Sequence, residues 1–92
     1  MAQKRFTAKI TGRVQGVGFR FFVREIAREL GIVGWVRNTS DDGVEVMAEG
    51  NEGLLARFLG FLKQGPRSAV VTHVDVAWEE PTNEFDRFFV KP

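Results

Sequence analysis

The sequence predicts an α+β fold whose elements follow the order strand, helix, strand, strand, helix, strand. Two periodicities carry that expectation: two stretches alternate apolar and polar residues with period two, and two stretches repeat apolar residues at helical spacing. Turn residues separate them. This order is the split βαβ pattern (βαββαβ) of a ferredoxin-like sandwich, with an antiparallel sheet and both helices packed on one face. Many activities share that architecture, so function has to be sought in particular residues.

Phe6, Ala8 and Ile10 alternate with Thr7, Lys9 and Thr11, the pattern of a half-buried strand. Phe22, Val23, Ile26, Ala27 and Leu30 then recur at helical spacing, with Arg24, Glu25, Arg28 and Glu29 on the other side and Gly31 as a C-terminal stop. A second strand is expected at about 33–39, and Ser40-Asp41-Asp42-Gly43 reads as a hairpin turn. Val44, Val46 and Ala48 alternate with Glu45, Met47 and Glu49 in a third strand. Asn51 suits the cap of a second helix whose buried side is Leu54, Leu55, Phe58, Leu59 and Leu62. Gly60 interrupts it at a cost of ~1 kcal/mol relative to Ala, and Gly65-Pro66 ends it. A fourth strand is expected near 73–78. Pro81-Thr82-Asn83 breaks the chain before a last extended piece at 85–90.

Between the first strand and the first helix lie Gly12-Arg13-Val14-Gln15-Gly16-Val17-Gly18-Phe19-Arg20. Such a loop can turn several backbone N–H groups inward, and the helix start behind it adds a positive dipole end. Gly16 and Gly18 tolerate left-handed backbone angles. Arg20 supplies a planar fork of donors suited to phosphate or carboxylate. Two glycines at a strand–helix junction also fit a plain tight turn. Gly-Lys-Ser/Thr is missing, so this is no Walker loop, and Phe22 stands where a dinucleotide fingerprint needs its third glycine.

This string, together with Gly34-Trp35-Val36-Arg37-Asn38, closely resembles the signature segments of the acylphosphatase family. The resemblance extends over nearly the whole chain and is weakest after Pro81. It implies a ferredoxin-like fold and hydrolysis of the carboxyl–phosphate bond of acyl phosphates. It also implies site residues: Arg20 binding the phosphate, Asn38 positioning the attacking water, and the amides of Gln15, Gly16, Val17, Gly18 and Phe19 holding the phosphate oxygens. No cofactor and no metal are expected.

With 92 residues, 43% of them hydrophobic and nine of them Phe, the chain is expected to form one domain over residues 1–92 with a single core. It has no cysteine, which excludes disulfides and thiolate metal sites. No run is long enough to span a membrane and Met1–Arg5 lacks the apolar stretch of a signal peptide, so a cytoplasmic protein without membrane partners is expected. A net charge of +1 argues against a general nucleic-acid binder. The charge is uneven: residues 1–37 hold eight cations against two carboxylates, and residues 38–92 hold five against ten. A basic half gathered around the loop would draw in small anions, although solvated strand edges and helix faces account for the same count.

Nucleophilic catalysis is poorly supplied. The chain has one histidine, His73, and serines only at Ser40 and Ser68. An acyl phosphate expels a stabilised carboxylate and needs little general acid, so orienting water and stabilising the phosphoryl oxygens suffices. The partners that the resemblance implies are a small acyl phosphate substrate and inorganic phosphate as product and inhibitor, with the chain expected to act as a monomer. Trp35 fits core or loop support, Arg37 should face away from Asn38 by strand alternation, and Phe19 and Phe22 suit core anchors. The rival class is a module of the same fold that holds an anion or nucleic acid without turnover. RNA-recognition domains carry aromatics on their central strands, whereas here the first strand offers only Phe6 and the third none. An acylphosphatase-like domain serving a larger enzyme is a related possibility, set against a sequence that runs from Met1 to Pro92.

Overall fold

In a computed structural model of the chain, which describes residues 2–92, strand β1 (Gln3–Arg13) lies inside the sheet, with a strand on either side. Helix α1 (Phe19–Glu29), strand β2 (Val33–Asn38), strand β3 (Val44–Asn51), helix α2 (Glu52–Gln64) and strand β4 (Val70–Glu79) follow in the expected order. The sheet runs β4-β1-β3-β2, all antiparallel. It is then extended by β5 (Phe88–Val90), which pairs parallel to β2 with Val36 opposite Val90. The sheet is therefore mixed rather than wholly antiparallel, because the last extended piece returns to the far edge as a strand.

Period-two alternation decides which side of each strand faces the helices. Phe6, Ala8 and Ile10 on β1, Val44, Val46 and Ala48 on β3, and Val36 on β2 are fully buried. They meet Val23 and Ala27 of α1 and Leu55, Phe58 and Leu62 of α2 in one core. Phe58 joins its two ends: its ring centre lies 6.2 Å from that of Phe6 and 5.9 Å from that of Phe88. Asn51 caps α2 as expected, its side-chain oxygen accepting from the Gly53 and Leu54 N–H groups at 2.9 and 3.3 Å.

The opposite face of the sheet carries no helix. Trp35 lies there, half-buried, with the Lys91 ammonium 4.5 Å and the Arg37 guanidinium carbon 5.7 Å from its ring centre. It supports neither the core nor the loop, since alternation along β2 sets it on the side away from Asn38. Arg37 faces that same side and pairs with Glu45, Nε to Oε1 2.8 Å.

To reach β5, the chain after β4 crosses four strand spacings, roughly 19 Å at ~4.8 Å each. Glu49 on β3 holds the crossing in place. It is 3% exposed, and its carboxylate accepts the Thr82 and Asn83 backbone N–H groups at 2.9 and 3.0 Å. Arg5 of β1 donates to it at 3.1 Å and reaches Glu84 at 3.0 Å. Burial opposes charge on Glu49, but the Thr82 and Asn83 N–H groups, the Thr82 hydroxyl and Arg5 outweigh it, so the carboxyl sits below its ordinary value of 4.5. Its contribution to stability is present above that value and is lost as the pH falls through the lower folded-state pKa. Glu49→Ala leaves two amide donors without their acceptor and removes one of the carboxylates paired with Arg5, and should cost about 2–3 kcal/mol in urea unfolding at pH 7. A cost below about 1 kcal/mol would remove Glu49 as the anchor of the crossing.

Candidate active site

Helix α1 starts without a cap of its own. Its N-cap is Gly18, at φ 77° and ψ 17°, no side chain accepts from its first turn, and no acidic residue sits there. This contrasts with α2, where Asn51 performs the task and Glu52 adds charge. The first backbone N–H groups of α1 are thus left for something outside the helix. Gly16 and Gly18 both have positive φ, and a Cβ on either would meet open space. The positive φ favours glycine, whose missing side chain also keeps the N–H groups accessible.

These groups open on a cleft of about 260 Å³. Gly16, Gly18, Phe19 and Arg20 line one side, and Asn38, at the end of β2, lines it as well. The sequence separates Arg20 from Asn38 by a helix and a strand; the β2 position beside β5 brings them to one cleft. Among the described residues Arg20 forms no ion pair. Of the seven other cations in residues 1–37, five pair with carboxylates: Lys4 with Glu80, Arg5 with Glu49, Lys9 with Asp41, Arg24 with Glu25 and Arg37 with Glu45; Arg28 donates to the Phe88 carbonyl instead. The uneven charge of the two halves is therefore mostly cross-sheet pairing, not a basic field around the loop. The Asn38 carboxamide oxygen is buried and has no hydrogen-bond partner.

Gln15 and Val17 do not line the cleft. The Gln15 side chain turns to the β2–β3 hairpin, donating through Nε2 to the Thr39 and Gly43 carbonyls at 2.8 and 2.9 Å. It ties the loop to the strand end that carries Asn38. The Val17 carbonyl accepts from the Ser68 hydroxyl at 2.9 Å. Because C=O and N–H point opposite ways across a trans peptide, that bond turns the Gly18 N–H away from Ser68. Asp41 steadies the same hairpin, with its carboxyl lowered to about 2 by bonds from Lys9 and the Thr39 hydroxyl.

Two lining residues escaped the sequence, Phe21 and Val90. Phe21 left a trace, being an aromatic just off the apolar stripe of its helix. Val90 left none, since nothing in a short extended piece indicates which edge it joins. The remaining lining residue is Val14, and the set contains no carboxylate, thiol or imidazole.

A family model described as acylphosphatase matches residues 6–90. The chain belongs to the acylphosphatase family. It is 48% identical to an acylphosphatase of Salinibacter ruber, over 97% of this chain and 94% of that protein. The crystal structure of the Bacillus subtilis acylphosphatase superposes with a TM-score of 0.93 at 36% identity, covering 97% of this chain and 99% of the other. The HypF protein of T. kodakarensis contains a similar unit, with a TM-score of 0.83 at 32% identity over 97% of this chain and 12% of its own length. Within the family frame, Gly34 of the second signature segment is a packing residue. Its φ is 135°, and a Cβ there would fall 2.0 Å from the Met47 carbonyl oxygen of the neighbouring strand.

The tie from loop to hairpin is open to test. Gln15→Leu keeps the bulk and removes both hydrogen bonds, which should cost about 1–2 kcal/mol in urea unfolding. A variant as stable as the parent would show that the loop and the hairpin hold their positions independently.

Proposed function

We propose that this chain hydrolyses acyl phosphates to a carboxylate and inorganic phosphate without a metal ion, by direct attack of water. The observation that carries this is the uncapped start of α1. Its free N–H groups open, with the unpaired Arg20, on a cleft that contains no carboxylate and also holds the buried, partnerless oxygen of Asn38.

The phosphoryl group enters the loop, where the amides around Gly16, Gly18 and Phe19 and the Arg20 guanidinium donate to its oxygens. The helix dipole favours the same charge. With no carboxylate in the lining, the dianion meets no repulsion that a cation would have to screen. The Asn38 oxygen accepts a hydrogen bond from a water molecule, which satisfies a buried acceptor that is costly to leave empty. That water attacks phosphorus, forming one P–O bond as the bond to the acyl oxygen breaks. The carboxylate leaves without needing a proton, and the proton of the water ends on the phosphate product. The donors around the phosphoryl oxygens stabilise the charge as it redistributes. Gln15 and Val17 serve this site through the Gln15 side chain and the Val17–Gly18 peptide, not as side chains in the cleft.

The cleft is complete within one chain, which supports a monomer acting as a single domain over residues 1–92. No helix among the described residues is long and apolar enough to cross a membrane. The net charge of only +1 and the pairing of many cations with carboxylates support action on a small molecule and not on nucleic acid, in the cytoplasm. Inorganic phosphate, the product, fits the cradle and should inhibit by competition.

The test is phosphate release from benzoyl phosphate in the presence of EDTA. Arg20→Ala should lower kcat/KM by on the order of 10²–10³ and weaken phosphate inhibition as well. Asn38→Ala should lower kcat strongly while the phosphate inhibition constant stays near that of the parent, since its amide acts on water. Loss of activity in EDTA with recovery on adding Mg²⁺ would overturn the metal-free mechanism. Equal damage to turnover and phosphate binding in Asn38→Ala would make Asn38 a binding residue.

A further inference from the structure

The cleft has an apolar mouth that the phosphate chemistry leaves unused. Phe21 lines it together with Val90, yet Phe21 is 59% exposed. The ring stands off the buried stripe of α1, whose fully buried members are Phe19, Val23 and Ala27. So large an exposed aromatic surface adds nothing to the core. The ring is nonetheless backed: the Arg24 guanidinium carbon lies 4.6 Å from its centre, and Arg24 Nε is itself tied to Glu25 at 3.3 Å. An aromatic ring has only two χ angles to fix, so a contact made by it loses little entropy.

We propose that Phe21, with Val90, forms the site for the acyl group and selects acyl phosphates whose acyl part is aromatic or bulky and apolar over those of acetyl size. This assignment rests on the acyl phosphate chemistry proposed above. Arg20 and Phe21 are consecutive residues of the first helical turn and line the same cleft. In the substrate, phosphoryl and acyl groups are joined through one bridging oxygen, so a phosphoryl group on Arg20 sets the acyl group within reach of the next side chain. The space suffices. A cavity of ~150 Å³ takes up benzene, and the 260 Å³ here holds a ring-sized group and still admits the phosphoryl end. Apart from Arg20 and Asn38, every side chain in the lining is apolar. A polar or anionic acyl group would therefore lose water to a surface that offers it no partner.

The experiment compares kcat and KM for benzoyl phosphate and acetyl phosphate in the parent chain, Phe21→Ala and Phe21→Leu, with circular dichroism to confirm folding. Differences in intrinsic reactivity between the two compounds cancel when the benzoyl-to-acetyl ratio of kcat/KM is compared between variants. Phe21→Ala should lower that ratio about tenfold, mainly through the KM for benzoyl phosphate. Phe21→Leu, which returns an apolar side chain, should recover part of it. If both compounds turn over and the ratio is the same in the parent and Phe21→Ala, the acyl site is wrong while the hydrolysis stands. If neither compound turns over in the parent, the hydrolysis proposal fails and the acyl site fails with it.

Discussion

A helix start that nothing in the chain caps is the constraint on which the site depends. Helix termini normally find partners for their free N–H groups, and α2 does so with Asn51. At α1 the partner is missing, the N-cap is a left-handed glycine, and the first turn carries a cation instead of a carboxylate. Arg20 at that end opposes the helix dipole and would cost stability in an isolated helix. An anion in the cleft reverses the sign of both terms at once. The surrounding structure holds this unfavourable end in place: the Ser68 hydroxyl on the Val17 carbonyl, Gln15 on the hairpin, and Phe19 in the core.

Apart from Arg20, residues 1–37 hold seven cations, and five of them pair with carboxylates. The first 37 residues are rich in Lys and Arg, and the later strands and loops answer with carboxylates placed directly opposite. The exposed pairs contribute little to stability, but each removes a competing anion site from the surface. Glu49 does more, because its buried carboxylate binds both Arg5 and the backbone of the crossing that delivers β5. Without β5 the cleft would lack Val90. The ion pair of Arg5 and Glu49 thus bears on the site from across the sheet.

Most of the fold was legible because its signals are local. Alternation in 6–11 and 44–49, helical spacing in 22–30 and 54–62, and the Asn51 cap each follow from a few neighbouring residues. The last extended piece at 85–90 is legible, but its place beside β2 is not, since that is fixed by Glu49 gripping Thr82 and Asn83 at long range. Trp35 was misplaced for a related reason: its side of the sheet depends on the parity set by Asn38 and Val36, and the open face offers it Lys91, which lies far along the chain. At the site, the cluster of Gly16, Gly18, Phe19, Arg20 and Asn38 was legible through the two signature segments. The side-chain bonds of Gln15 to the hairpin are not legible, because a glutamine in a glycine loop shows no sign of the carbonyls its side chain will meet. Phe21 carries only a faint signal, an exposed aromatic just off the apolar stripe of its helix.

The most direct test of the anion cradle is a nitrogen–proton NMR titration of the chain with inorganic phosphate. The backbone N–H resonances of Gly16, Gly18 and Phe19 and the Arg20 side-chain N–H should shift together and saturate with a single dissociation constant. Shifts confined to scattered surface cations such as Lys63 and Arg67, with the loop resonances unmoved, would contradict the cradle and with it the proposed chemistry.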